Sequence, residues 1–158
     1  MVILQPVILV LALRVENVVG QERVLRILNL DGSSSVTLGS SDQPLPPGGI
    51  PFTIKVVLEG ATSHLNSFQV GLKFNSSILN CTGAWVPKKD PSFVFYGQGI
   101  YEMKDIDNTY NPARPNSPYP YVTISAILQQ PGAYVDVEGG LLALINFTAI
   151  GAGTTTIE

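Results

Sequence analysis

Charge is scarce in this chain. Only 13% of its 158 residues are Asp, Glu, Lys or Arg, and no basic cluster exceeds the pair Lys88-Lys89. That argues against a nucleic-acid partner, because tracking phosphates takes a basic stripe. Cysteine is nearly absent too. Cys81 stands alone, so neither an intrachain disulfide nor a cysteine-based metal site can form. The single histidine, His64, lies in the polar stretch Gly60 to Asn66 with nothing nearby in sequence to orient it, and reads as a solvated side chain. No long amphipathic helical pattern occurs. The longest apolar run, Met1 to Leu13, falls short of the roughly 20 residues that span a bilayer, so membrane contact would come only through other parts of a longer protein.

What is present is a two-residue hydrophobic period. In Ser67 to Leu79, Phe68, Val70, Leu72 and Phe74 share one side of a strand and Gln69, Gly71 and Lys73 the other. A strand wet on one face must cover the other with a second sheet, so this segment reads as a central strand of a β-sandwich. Phe52 to Leu58 alternates likewise, with Phe52, Ile54, Val56 and Leu58 inward. So does Tyr121 to Leu128, with Val122, Ile124, Ala126 and Leu128 inward. In Leu141 to Ile150, Ala143, Ile145, Phe147 and Ala149 take the core while Leu144, Asn146 and Thr148 face out. Shorter strands are expected at Val24 to Leu30, Ser35 to Leu38, Ile78 to Val86, Phe93 to Tyr96 and Thr154 to Glu158.

Between them lie the proline-rich loop Ser40 to Gly49, the connections Gly60 to Asn66 and Gln129 to Glu138, and an irregular segment from Gly97 to Pro120. The last is too long for an ordinary connection and reads as a functional loop or a flap. Residues 1–20 are either a secretory signal peptide or a start-site artefact, or the hydrophobic tail of a preceding domain. Three Asn-x-Ser/Thr triplets, at Asn75, Asn80 and Asn146, are candidate glycosylation sites and favour an extracellular or cell-surface location.

No converging acid, base and nucleophile set marks an enzyme. Glu102, Asp105, Asp107, Asp136 and Glu138 sit in stretches read as loops, where charge is expected. Asp105-Ile106-Asp107-Asn108 has the oxygen-rich look of a calcium loop, yet lacks the glycine and distant glutamate of an EF-hand. The expectation is no cofactor, with a structural calcium between loops as the alternative. Aromatics offer a different chemistry. Trp85, Tyr101, Tyr110, Tyr119 and Tyr121 are candidate stacking residues for sugar rings, whose hydroxyls loop Asn and Asp groups would bind. The competing reading has Trp85 and some tyrosines plugging the ends of the sandwich.

Together these features predict an all-β domain over residues 24–158, a two-sheet β-sandwich with jelly-roll topology and about eight or nine strands. The order of segments is also familiar. Residues 48–56 read Gly-Gly-x-Pro-Phe-Thr-Ile-Lys-Val, and 65–75 read Leu-Asn-Ser-Phe-Gln-Val-Gly-Leu-Lys-Phe-Asn with Ile78-Leu79 after them. Residues 138–149 read Glu-Gly-Gly-Leu-Leu-Ala-Leu-Ile-Asn-Phe-Thr-Ala, ahead of Gly151-Ala152-Gly153-Thr154-Thr155. From about residue 24 to the end this resembles a cohesin-type domain, above all the cohesin-like modules of archaeal surface and secreted proteins. The resemblance implies a jelly-roll sandwich shared with several carbohydrate-binding modules. It also implies docking of a dockerin-like protein through one sheet, whose strands would be 67–75, 93–98, 121–128 and 141–150. Its exposed contacts would be Gln69, Lys73, Thr123, Ser125, Leu144 and Thr148. Asn146 would share that face, where a glycan would obstruct a flat partner.

The functional expectation is therefore a non-catalytic extracellular interaction module that binds a protein partner or a polysaccharide. The alternatives are a carbohydrate-binding module using the loop tyrosines, and a purely structural module of a cell-surface glycoprotein.

Overall fold

The computed structural model describes residues 2–6, 23–38, 45–114 and 118–157. Ten strands and no helix occur among them: β1 (Val2–Pro6), β2 (Val24–Asn29), β3 (Thr37–Leu38), β4 (Ile50–Leu65) and β5 (Ser67–Lys73), then β6 (Leu79–Trp85), β7 (Ile100–Asp107), β8 (Tyr121–Leu128), β9 (Val135–Ala149) and β10 (Thr155–Ile157). They form two antiparallel sheets, one of four strands in the order β2-β4-β9-β6 and one of three in the order β5-β8-β7. A short third ribbon sets β1 between β3 and β10. The candidate leader, residues 1–20, contributes β1, and its remainder lies outside the described residues.

The two larger sheets make a sandwich because their apolar sides meet. Ile54, Val56 and Leu58 of β4 and Ala143, Ile145, Phe147 and Ala149 of β9 line one side of the core. Phe68, Val70 and Leu72 of β5 and Val122, Ile124, Ala126 and Leu128 of β8 line the other. All are at most 7% exposed, which bears out every inward register read from the alternation except Phe52, which is half-buried. Phe74 continues the β5 pattern beyond its strand and meets Phe147 edge to face at 5.1 Å.

Five expectations need correcting. The strand beginning at Ser67 is not central: among the described strands β5 pairs only with β8 and lies at a sheet edge. Alternation reports which faces are wet, not how many neighbours a strand has. Gly60 to Asn66 is no connection, since β4 runs through to Leu65, with Gly60 and His64 at positive φ (93° and 57°) and shifted register on either side of Thr62. Its partner β9 starts at Val135, inside the expected 129–138 connection. Where the register slips between Val56 and Val57, Leu142 is the extra residue of a β-bulge and is buried.

Phe93 to Tyr96 is not a strand. Phe93, Val94 and Phe95 are all buried within successive turns, in which Phe93, Tyr96 and Gln98 donate backbone hydrogen bonds to Asp90, Phe93 and Phe95. Three consecutive buried residues cannot share one face of a strand, so the segment folds over the sandwich end and inserts its rings against Phe68. The Gly97 to Pro120 segment, in turn, contains a whole strand, β7. Its outward Tyr101, Met103 and Asp105 are exposed and its inward Glu102 and Lys104 are not core, so no hydrophobic period marks it.

β6 and β7 run along the same side of the sandwich, and side chains of β7 and of the residue after it satisfy the open edge of β6. The Cys81 N–H donates to Asn108 Oδ1 (2.8 Å) and Asn108 Nδ2 donates back to the Cys81 carbonyl (3.0 Å), as a neighbouring strand would. Lys104 Nζ donates to the Ala84 carbonyl, and the Val86 N–H donates to Glu102, which also pairs with Lys88. Buried backbone groups need such partners.

Candidate functional site

The chain from Asn108 to Pro120 leaves β7 and returns as β8, and one arginine organises it. Arg114 donates to the carbonyls of Tyr119 (2.8 Å) and Thr109 (3.2 Å), and pairs with the Asp107 carboxylate. Its guanidinium also lies 5.0 Å over the Tyr121 ring. The planar fork suits this role, holding two backbone points, one acid and one ring together. The Asn111 N–H closes the neck of the loop on the Pro118 carbonyl, and Asn111 Oδ1 accepts from Ala113. The Thr109 N–H donates to Asp107, and that bond, helped by Arg114, holds the Asp107 carboxyl below its ordinary value. Beneath the loop the Tyr121 hydroxyl donates to Asp105 (2.6 Å), which raises the phenol's pKa.

The loop so pinned presents Tyr110 and Tyr119, each more than half exposed, as an edge-to-face pair with ring centroids 6.1 Å apart and planes at 65°. They edge a cleft of about 630 Å³ whose other walls are the end of β5 (Lys73), the turn Phe74 to Ser77, Pro120, and Thr154 to Thr156 at β10. Apart from the tyrosines, Lys73 is the only ionisable group lining it among the described residues.

The five aromatic candidates therefore separate. Tyr110 and Tyr119 line the cleft, and Tyr121 sits under the loop as a support for Arg114. Tyr101, 61% exposed, lies at the far end of the sheet opposite Ile127. Trp85, half-buried on the outer face of β6, borders a shallower hollow of about 610 Å³ with Val86 to Asp90 and Glu102. The pair is not a coplanar row, so the geometry is that of a cleft and not of a flat platform.

The partner face implied by the cohesin resemblance is divided. Gln69 and Lys73 on β5 and Thr123 and Ser125 on β8 share the outer face of the three-stranded sheet. Leu144 and Thr148 do not join them, because β9 pairs with β4 and β6 in the other sheet, whose outer face points the opposite way. Residues 93–98 supply no strand to either. Asn146 goes with Leu144 and Thr148. It is half-buried, accepts a hydrogen bond from Thr53 (2.7 Å), and a glycan on it would leave the three-stranded face clear. Asn80 stands across from Thr148 on that same four-stranded sheet. Asn75 is exposed in the cleft wall, its side chain accepting from the Ser77 N–H.

The calcium alternative loses its ligands to other partners. Asp107 is taken by Arg114 and Thr109, Asp105 by Tyr121, and Asn108 by Cys81. Among the described residues no group of three or more His, Cys, Asp or Glu gathers as a metal site. The His64 ring lies tilted against Tyr134 with centroids 4.2 Å apart, and the His64 backbone N–H donates to the Asp136 carboxylate. Cys81 is buried, and burial pushes its thiol up to about 11. Of the five acids singled out in the sequence, none lines the tyrosine cleft.

Sequence reasoning flagged the tyrosines but missed Arg114. Its only signal was a lone arginine among prolines and asparagines, which names no partner. Compared with family models, curated proteins and solved structures, the chain matches none. The cohesin resemblance therefore rests on the segment pattern alone.

Proposed function

We propose that this β-sandwich is a non-catalytic, extracellular saccharide-binding module whose site is the tyrosine cleft. The observation that carries the reading is the Arg114-pinned loop, which holds two tyrosine rings in solvent beside a cleft of hydroxyl and amide side chains. Aromatic surface is costly to expose, and a ring face beside hydroxyl-binding groups suits the apolar face and equatorial hydroxyls of a sugar. Strands that alternate between the sheets from β4 to β7 support jelly-roll connections, in keeping with the cohesin-like pattern. Three sequons with no asparagine in the core support export.

The test is binding of the full chain to a polysaccharide array, with Tyr110→Ala alongside. We expect the variant to fold normally and to lose at least about tenfold in affinity, roughly 1.4 kcal/mol. Unchanged binding by Tyr110→Ala would exclude the cleft.

A second reading has one observation in its favour. Tyr101, Met103 and Ile127 form an exposed apolar patch on the three-stranded sheet, next to Gln69 and Ser125, and so fit a protein partner of dockerin type. Capture of a dockerin by the native chain and its loss in Met103→Lys would select this reading, with the Tyr110 variant unaffected.

A further inference from the structure

We infer that the sugar held in the tyrosine cleft is acidic, bearing a carboxylate or a sulfate ester, and that Lys73 selects it. This rests on the cleft being a saccharide site and adds the class of sugar. The whole chain is acidic, with 12 Asp and Glu against 9 Lys and Arg. The cleft reverses that balance. Among the described residues no carboxylate lines it, and the only charged group that does is Lys73, at the end of β5. Other cations of this region are spoken for, as Arg114 is neutralised by Asp107. Lys73 has no hydrogen bond or ion pair with any described residue.

The nearest acids across the sheet are already committed. Register places Lys73 beside Tyr121 and Tyr121 beside Asp107, whose carboxylate is held by Arg114 and the Thr109 N–H. One row further, Asp105 accepts the Tyr121 hydroxyl. Ser76, Ser77, Thr154 and Thr156 line the same cleft with neutral hydroxyls that suit the rest of a sugar ring. An ammonium with no counter-ion among the described residues, on a residue lining such a cleft, favours an anion, and the preference weakens as salt screens it.

The experiment is calorimetric titration of the full chain with three oligosaccharides of equal length: an oligogalacturonate, a sulfated galactan oligomer and a neutral glucan. Each is run at low and high salt. Wild type should prefer the acidic ligands by about threefold to tenfold at low salt, and most of that margin should vanish at high salt. Lys73→Gln should erase the margin, Lys73→Arg should keep it, and Tyr110→Ala should weaken all three. Which acidic ligand binds more tightly distinguishes carboxylate from sulfate. Equal affinity for neutral and acidic ligands, or an unchanged margin in Lys73→Gln, would overturn the charge selection while Tyr110 dependence upheld the cleft. If the chain bound no saccharide, or if Tyr110→Ala left every affinity intact, both would be overturned.

Discussion

The segments that join β6 to β7 and β7 to β8 both carry aromatic rings, yet they use them in opposite ways. The first turns Phe93, Val94 and Phe95 into the core and leaves Tyr96 as its exposed ring. Its backbone is satisfied by its own turns and by a bridge to Leu141, and Asp90 accepts from both the N–H and the hydroxyl of Ser92. The second keeps Tyr110 and Tyr119 in solvent and is held by Arg114 in place of apolar packing. A phenylalanine segment that fills the sandwich end is structure; a tyrosine segment fixed by one cation while its rings stay wet is available for binding. Ring chemistry follows the division, since a phenol tolerates water at its hydroxyl while a phenyl ring gains only by burial.

The contrast breaks first at Phe95, the largest fully buried side chain of the first segment. Phe95→Ala should cost about 3–5 kcal/mol in a denaturant melt, whereas Tyr110→Ala should stay within about 0.5 kcal/mol of wild type. Equal losses would mean that the tyrosine loop is also core. Next comes Asn108, where the second segment is anchored: Asn108→Ala leaves the Cys81 N–H and carbonyl without that partner and should cost about 1–3 kcal/mol. A smaller change of opposite sign is expected at Thr62, buried at 2% exposure with a hydroxyl that has no hydrogen-bond partner among the described residues. Thr62→Val should stabilise the chain by about 1 kcal/mol, and a destabilisation would mean that the hydroxyl has found a partner.

The smallest effect concerns acid. Asp107 has its pKa lowered below 3.8, chiefly by the Thr109 N–H, so its stabilising contribution is complete above that ordinary value and is lost as pH falls through the lowered one. The tyrosine loop should therefore loosen below about pH 3.8, while the phenylalanine segment, which loses its Asp90–Ser92 bonds in the same range, stays held by its buried rings. Amide exchange at Thr109 and Tyr96 would report the two separately. Synchronous loosening would sink the distinction.

How much of this was legible in sequence depends on the wetness of each face. β8 is dry on one side and wet on the other, so Val122 to Leu128 announces both its existence and its register. β7 has exposed or half-exposed residues on both sides after Ile100, so IYEMKDID looks like loop although it pairs with β8 along its whole length. Phe93-Val94-Phe95 shows the converse: continuous burial erases the period that would tell a turn from a strand. At the site, Tyr110 and Tyr119 stood out as residue types, but their meeting depends on Arg114 reaching the Tyr119 and Thr109 carbonyls, which spacing does not encode. The partner face was misassembled for the same reason. Alternation in β9 placed Leu144 and Thr148 outside correctly, while saying nothing about which sheet β9 joins.

The three side chains along β6 matter most when many copies stand close together. A bare strand edge is a template on which any neighbouring chain can add a strand, and crowding makes that encounter frequent. Asn108, Lys104 and Glu102 already occupy Cys81, Ala84 and Val86 on that edge. Densely arrayed copies of this domain would thus slide past one another along the β6 flank instead of zipping into a common sheet there.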